Sequence, residues 1–492
     1  VQIEAHHVKS KPRKSRIRAF VIGLSALVAV LFVAYAGFLF VSSWKLEKAV
    51  EELRQVARAS SYEPSRANGS DSVDVNDPSM AYSELFAELE RIDASMDAYK
   101  AHYGNLTFDD ILKGPAFRTT AEQRMHDDWE EAEERRKEAV VTEHETFILA
   151  FRELTKLEGP VIPPGGSFQE NPRYPYYGSL REVARLLVKH AELAAARGDY
   201  DEVVEDIIAG LRFSDALALD DSMLIQLNRN AIIGIILTGA QESIGISDIL
   251  SDRVFELLMD QAAHSAKQQH LPYVIAVDAM HGRELFDRAR RGDAAPVRAL
   301  FDAYDWGEKA GKGMRGEGYH PERLQMHDVG RAVFVKFYTS PLARPWVDRD
   351  EQIYIETYVK ASRLACLPYQ DATSALNQLE RESPQPLLQM AGITSSITGA
   401  LTSQANSIAR LDMLRIGFSI ERFFAKHGVY PQDLNEIASI LGTGIPTDPF
   451  TGEPYRYTLN GDSFLLYSVG KDLEDDGGRH DYFTGDVVWR GQ

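Results

Sequence analysis

AFVIGLSALVAVLFVAYAGFLFVSSW, residues 19–44, runs for 26 positions without a charged side chain. At a rise of about 1.5 Å per residue an α-helix of that length spans roughly 39 Å, which exceeds the roughly 30 Å hydrocarbon core of a bilayer. The run therefore reads as a membrane-spanning helix, and the rest of the chain is arranged around it. A cleaved signal peptide is the competing reading, but its apolar core commonly holds only about 7–15 residues and ends at a small-x-small site. Here the run passes through VSSWKLEKAVEELR into a charged amphipathic helix, which favours a retained anchor.

Charge gives the orientation. Residues 1–18 carry Lys9, Lys11, Arg13, Lys14, Arg16 and Arg18 against Glu4, a net +5, so the remainder of a chain of net −19 carries −24. Basic residues flanking a span stay on the cytoplasmic side. The expected arrangement is a basic tail at 1–18 in the cytoplasm, a span at 19–44 in the bacterial inner (cytoplasmic) membrane, and the bulk of the chain periplasmic. Trp44 fits an aromatic residue at the outer interface.

With 492 residues and 44% hydrophobic side chains the chain can fill real cores. Its acidic balance argues against a nucleic-acid partner, which calls for a basic face. Membrane lipid around residues 19–44 is the partner the sequence names, with protein partners or a homo-oligomer expected for the body. Cys366 is the single cysteine, so no internal disulfide is available. Its apolar surroundings, KASRLACLPY, give the expectation of a buried small hydrophobe. Asn68-Gly69-Ser70 and Asn105-Leu106-Thr107 match the glycosylation sequon, a pattern that often arises by chance.

Beyond the span, Leu46, Val50, Leu53 and Val56 continue a helical stripe, and residues 60–79 form a Ser/Asn/Asp/Gly/Pro-rich tether. Residues 45–79 are thus a juxtamembrane helix and tether, and residues 80–400 an extracytoplasmic helical body. Tyr82, Leu85, Phe86, Leu89 and Ile92 trace an apolar face. His126 with Asp127 and Asp128, and His144 among glutamates, lack a metal-ligand spacing; HETFI has Ile148 where a zinc protease needs its second His. A Pro/Gly-rich break follows at 159–179.

The segment SLREVARLLVKHAELAAARGDYDEVVEDIIAGLRFSDALAL reads as two helices joined at Gly198-Asp199, an antiparallel hairpin resembling a degenerate tetratricopeptide unit. His190 falls on its packed or boundary face. NAIIGIILTGA is uncharged but too short to cross a bilayer, and so is core. The Gly-rich loop 302–321 departs from a phosphate-binding loop, with Gly313 following Lys312 and no apolar strand leading in. Residues 322–382 return to helix, with Val333, Phe334 and Phe337 and later Leu364 and Leu367 apolar. His281, His320 and His327 have no sequence-local partners, and no nucleophile elbow occurs. Nothing here marks an enzyme.

From about Thr394 the pattern changes. A long helix over roughly 406–427 is followed by a stop at Gly428, a short helix opened by Pro431 and Asp433, and a small antiparallel sheet. Its strands are placed at 456–459, 463–468 and near 487–489, with Asn460-Gly461 as the hairpin turn.

Pro446, Asp448, Pro449, Gly452, Pro454 and Tyr455, then Tyr467, Ser468, Gly470 and Asp472, then Asp486, stand in an order that resembles the globular domain of the type II secretion major pseudopilins. The likeness covers the last ~90 residues and implies a small α+β domain at 401–492. It also implies a structural calcium ion held by Asp472, Asp475, Asp476 and Asp486 with backbone oxygens near Leu466 and Ser468, since calcium takes six to eight hard oxygens. Glu474 is a weaker candidate, because the family's pattern is built on aspartates. Family members carry a glutamate in the apolar helix, and Ala19–Trp44 has no acid, so a polymerising subunit is not expected. The whole arrangement resembles membrane-anchored envelope proteins of planctomycete-type bacteria, which lend no activity. The fold expected is mostly α, with a single span, a helical-hairpin body and the small α+β module. The function expected is a non-enzymatic scaffold, with a secretion or pilus accessory, and then an envelope hydrolase, as the alternatives.

Overall fold

The computed structural model describes residues 13–59, 145–157, 176–243, 252–301, 328–384 and 393–490, apart from single positions and residues 480–484 within them, with isolated positions between 82 and 161. Side chains of the first helix are described from Val28 onward. The tether at 60–79, both sequons, His126, Asp127, Asp128, His144, the loop 302–321 with His320, and His327 lie outside the described residues, as does most of the break at 159–179.

Among the described residues the chain is mostly helical, with one three-stranded sheet. In order, the described helices are α1 (Arg13–Ala59), α2 (Glu145–Leu154), α3 (Tyr176–Ala196), α4 (Tyr200–Ala218), α5 (Met223–Ser243), α6 (Asp252–Lys267), α7 (Leu271–Arg290), α8 (Asp328–Tyr338), α9 (Arg344–Leu364), α10 (Tyr369–Glu382), α11 (Ile393–His427) and the one-turn α12 (Ala438–Leu441). The strands are β1 (Arg456–Asn460), β2 (Ser463–Ser468) and β3 (Val487–Arg490). Two compact units emerge: one of residues 1–56, 279–359 and 383–391, the other of 57–278, 360–382 and 392–492.

In the larger unit α3, α4 and α5 pack on one another, and α11 lies against α5 and α6. The hairpin between α3 and α4 forms because Gly198 takes φ +75°, and its amide and that of Asp199 close onto Ala195 and Ala194 carbonyls at 2.9 and 3.0 Å. That left-handed stop is open to glycine at little cost. Asp199 then accepts from the Glu202 amide at 3.2 Å and starts α4. Helices α3 and α5 approach where α5 offers Gly239, at which a Cβ would collide with Val188. The uncharged stretch in α5 is core, with Ile232, Ile233, Ile236 and Ala240 fully buried.

The carboxy-terminal sheet has order β1-β2-β3, all antiparallel, with Asn460 paired to Ser463 across the tight turn and Leu466 paired to Trp489. It packs on α11, where Phe418 meets Trp489 edge-on at 5.7 Å. Asp433 caps the turn at Leu434–Ile437 through a reciprocal capping box with Glu436. Helix α11 is longer than the sequence suggested and begins at Ile393. Because it touches both the sheet and α5 and α6, the module and the helical body share one compact unit.

In the smaller unit, Ala49, Val50 and Leu53 of α1 are buried. Arg290 of α7 pairs with Asp348 at 2.8 Å and with Glu351, and Arg283 reaches Glu351 at 2.6 Å. Asp348 also accepts from Ser43 of α1 at 2.9 Å.

Cys366 corrects one expectation: it is exposed. It sits two residues past the end of α9, in the turn before α10, and Leu367 beside it is exposed too. Apolar neighbours in sequence imply burial only while the chain stays helical and keeps one face turned inward.

Candidate functional site in the acidic carboxy-terminal loop

The loop from Gly470 to Asp486 joins β2 to β3. Gly470, Gly477 and Gly478 take φ of +72°, +70° and +79°, and Leu473 takes +64°, so this acidic stretch is tightly bent. Strand β2 delivers it and β3 receives it, which brings Asp472, Asp475, Asp476 and Asp486 into one loop.

Three of the four carboxylates are engaged with the loop's own donors. Asp472 accepts from the Gly485 amide at 2.8 Å and the Glu474 amide at 3.3 Å. Asp475 accepts from the Tyr467 hydroxyl at 2.9 Å and the Gly477 amide at 3.1 Å, and pairs with Arg456 at 3.3 Å. The Tyr467 hydroxyl, then the Gly477 amide, holds the Asp475 carboxyl below the usual range. Asp486, almost fully buried, accepts from the Gly478 amide at 2.6 Å. Burial pushes its carboxyl up against the pull of two loop amides, and the charges of Asp475 and Asp476 add to that rise.

The oxygen chemistry suits calcium. The arrangement does not converge it: among the described residues no three His, Cys, Asp or Glu side chains gather as a metal would need. Tyr467 and Arg456, which fix Asp475, were not among the expected site residues.

The neighbouring motif is structural. Asp448 is buried and accepts from the Phe450 amide at 2.9 Å and the Val469 amide at 3.2 Å. It thus pins the turn 446–454 to the end of β2. Tyr455 donates to Asp412 of α11 at 3.2 Å, and burial lifts Asp412 to about 6.

A second polar cluster, unexpected from sequence, lies among the helices. Arg152 of α2 reaches Asp206 of α4 at 2.6 Å and the Glu202 carbonyl at 3.2 Å, with His190 of α3 at 3.3 Å. His190 Nδ1 stands 2.7 Å from Asp206. His190 and Asp206 are 3% and 0% exposed, so the pair has no access to substrate and acts as a clamp. Asp206 interrupts the apolar stripe of VVEDIIAGL, and that misplaced charge was the available signal. Farther along α5, buried Arg229 donates to the Ser214 and Ser265 carbonyls at 3.0 Å each, tying α4 and α6 to α5.

Fold and sites together define a mostly helical chain with an N-terminal apolar helix and a small sheet-bearing end. No protein-family model, curated protein or solved structure matches it.

Proposed function

We propose that this chain is a non-enzymatic scaffold anchored in the bacterial inner membrane by residues 19–44, with its basic tail in the cytoplasm and its body outside. The observation that carries the reading is the exposure of apolar side chains all round α1. Val28, Val30, Leu31, Phe32, Val33, Phe40 and Val41 are between 46% and 74% exposed. Burying such side chains is worth about 1.5–3 kcal/mol each, so leaving seven in water would forgo on the order of 10 kcal/mol. Among the described residues the other helix that is long and apolar, Met223–Gln241, is two-thirds buried and is already accounted for as core.

The helical body offers hairpin surfaces of the kind that tetratricopeptide-like units present to partners, and the acidic charge favours proteins over nucleic acid. Crosslinking in intact cells followed by mild solubilisation should return a stoichiometric protein partner or a second copy of the chain. A monomer recovered alone would count against the scaffold. The motif order of the module, with Asp448 and Tyr455 as its structural pins, supports the alternative of an accessory to a secretion or pilus-like assembly. Co-purification with such components would favour it, and indifference to their deletion would reject it. An envelope hydrolase is the weakest alternative, since the His190–Asp206 pair is sealed from solvent.

Calcium in the acidic loop is a second proposal, favoured by four aspartates on one tightly bent loop, where burial raises the Asp486 carboxyl and the charges of Asp475 and Asp476 add to that rise. A cation would relieve it. Thermal melts of the full chain with calcium and with chelator should differ by several degrees, and Asp475→Ala with Asp476→Ala should erase the difference. Equal melting of the wild type would reject the site.

A further inference from the structure

Helix α8 is apolar on both sides. Val335 and Tyr338 are buried, the latter donating to Asp350 at 3.0 Å. Among the described side chains of α8, from Gly330 onward, the exposed positions are Ala332, Val333, Lys336 and Phe337, which share one helical face; Val333 is 63% exposed and Phe337 38%. The turn that follows, Pro341–Ala343, presents Leu342 at 67% exposure, and Arg344 is exposed after it. A solvent-facing helix face is normally polar. Here three of four positions are apolar and the fourth is a lysine.

The same segment touches the apolar helix. Tyr35 donates to the Pro341 carbonyl at 3.0 Å, and Trp346 lies edge-on to Phe38 at 5.3 Å and to Phe337 at 5.7 Å. Tyr35 and Phe38 stand nine and six residues before the end of the uncharged run at Trp44. That run, at roughly 39 Å, exceeds the hydrocarbon core by about 9 Å, or about six residues. With its amino-terminal end at the inner boundary, the outer boundary falls near Phe38. Trp346, Phe337 and Leu342 then lie at the depth where aromatic residues settle between headgroups and acyl chains.

We propose that residues 332–346 form an interfacial foot: the exposed face of α8 and the turn after it rest in the headgroup–acyl boundary of the membrane that α1 crosses. Val333, Phe337 and Leu342 enter the acyl edge. Lys336 and Arg344 lie along it and offer their charges to lipid phosphates, as long basic side chains do at such boundaries. Asp348 and Asp350 do not oppose this, since both are buried and bonded to Arg290 and Tyr338. The foot would fix the smaller unit at the bilayer surface.

The inference rests on the anchor reading, and the experiment separates the two. In a Cys366→Ser background, full-length protein carrying Val30→Cys, Val333→Cys, Leu342→Cys or Asp201→Cys is labelled with an environment-sensitive fluorophore. It is then reconstituted into phosphatidylcholine–phosphatidylglycerol vesicles, with nitroxides placed near the headgroup or near the acyl terminus. Probes at 333 and 342 should be quenched by the shallow nitroxide several-fold more than the exposed control at 201, and the probe at 30 by the deep one. Quenching at 30 with 333 and 342 no different from 201 overturns the foot and leaves the anchor. No quenching at 30 overturns the anchor itself. Val333 and Leu342 are well exposed, so their cysteine variants leave the packing untouched.

Discussion

Replacing Arg152 by Met removes the positive partner of a carboxylate that no water reaches. Asp206 is 0% exposed and sits 2.6 Å from the guanidinium, with His190 on α3 and Glu202 and Glu205 on its own helix as the other ionisable neighbours. Breaking a buried pair by removing one member costs about 3–5 kcal/mol. A ceiling comes from the alternative of protonating the orphaned acid. Lifting an aspartate of ordinary pKa about 3.9 to neutrality at pH 7 takes about three units, or roughly 4 kcal/mol. A loss near 3 kcal/mol is the expected result. Two compact units make a single unfolding free energy ill-defined, so the proper readout is amide hydrogen exchange in α3 and α4 of the full chain. Protection there should fall by about a hundredfold, at about 1.4 kcal/mol per decade. The sign of the pH dependence follows from burial. Asp206 is already raised by desolvation, and loss of Arg152 raises it further, so the folded state holds the proton more tightly than the unfolded one. The deficit should therefore grow as pH rises through the already raised wild-type value of Asp206 and shrink on acidification. Adding Asp206→Asn to Arg152→Met should restore part of the loss. A fall of less than about fivefold, or a deficit that deepens on acidification, would refute the clamp.

Gly239→Val should cost about 1–3 kcal/mol by overpacking against Val188, read as loss of exchange protection in α3 and α5. Glu421, buried on α11 and bonded to Tyr430 at 3.3 Å, is lifted by burial to about 7. Its folded pKa lies above its unfolded one, so it costs the module stability as pH rises from about 4.5 through 7. Glu421→Gln should flatten that part of the pH profile of exchange in β1 and β2.

Periodicity and turn chemistry carried much of this architecture in plain view. Asn460-Gly461 between two β-rich runs placed the hairpin, and Gly198-Asp199 placed the junction of α3 and α4, because both are decided within a few residues of backbone. The clamp was hidden for the opposite reason: Arg152, His190 and Asp206 meet across 16 to 54 residues of chain. A helical stripe reveals which face is inward, not which residue lies opposite. The acidic loop was legible as a cluster of charges, whereas the turning of Asp472, Asp475 and Asp486 onto loop amides depends on glycine dihedrals that the residue types only permit. Cys366 misled because hydrophobic neighbours were counted across a helix end.

That exposed cysteine, the only one in the chain, is also the most direct reporter of topology. A membrane-impermeant maleimide added to intact spheroplasts should label Cys366 without permeabilisation, as required if residues 19–44 cross the inner membrane with the body outside. Labelling that appears only after the membrane is opened would contradict it.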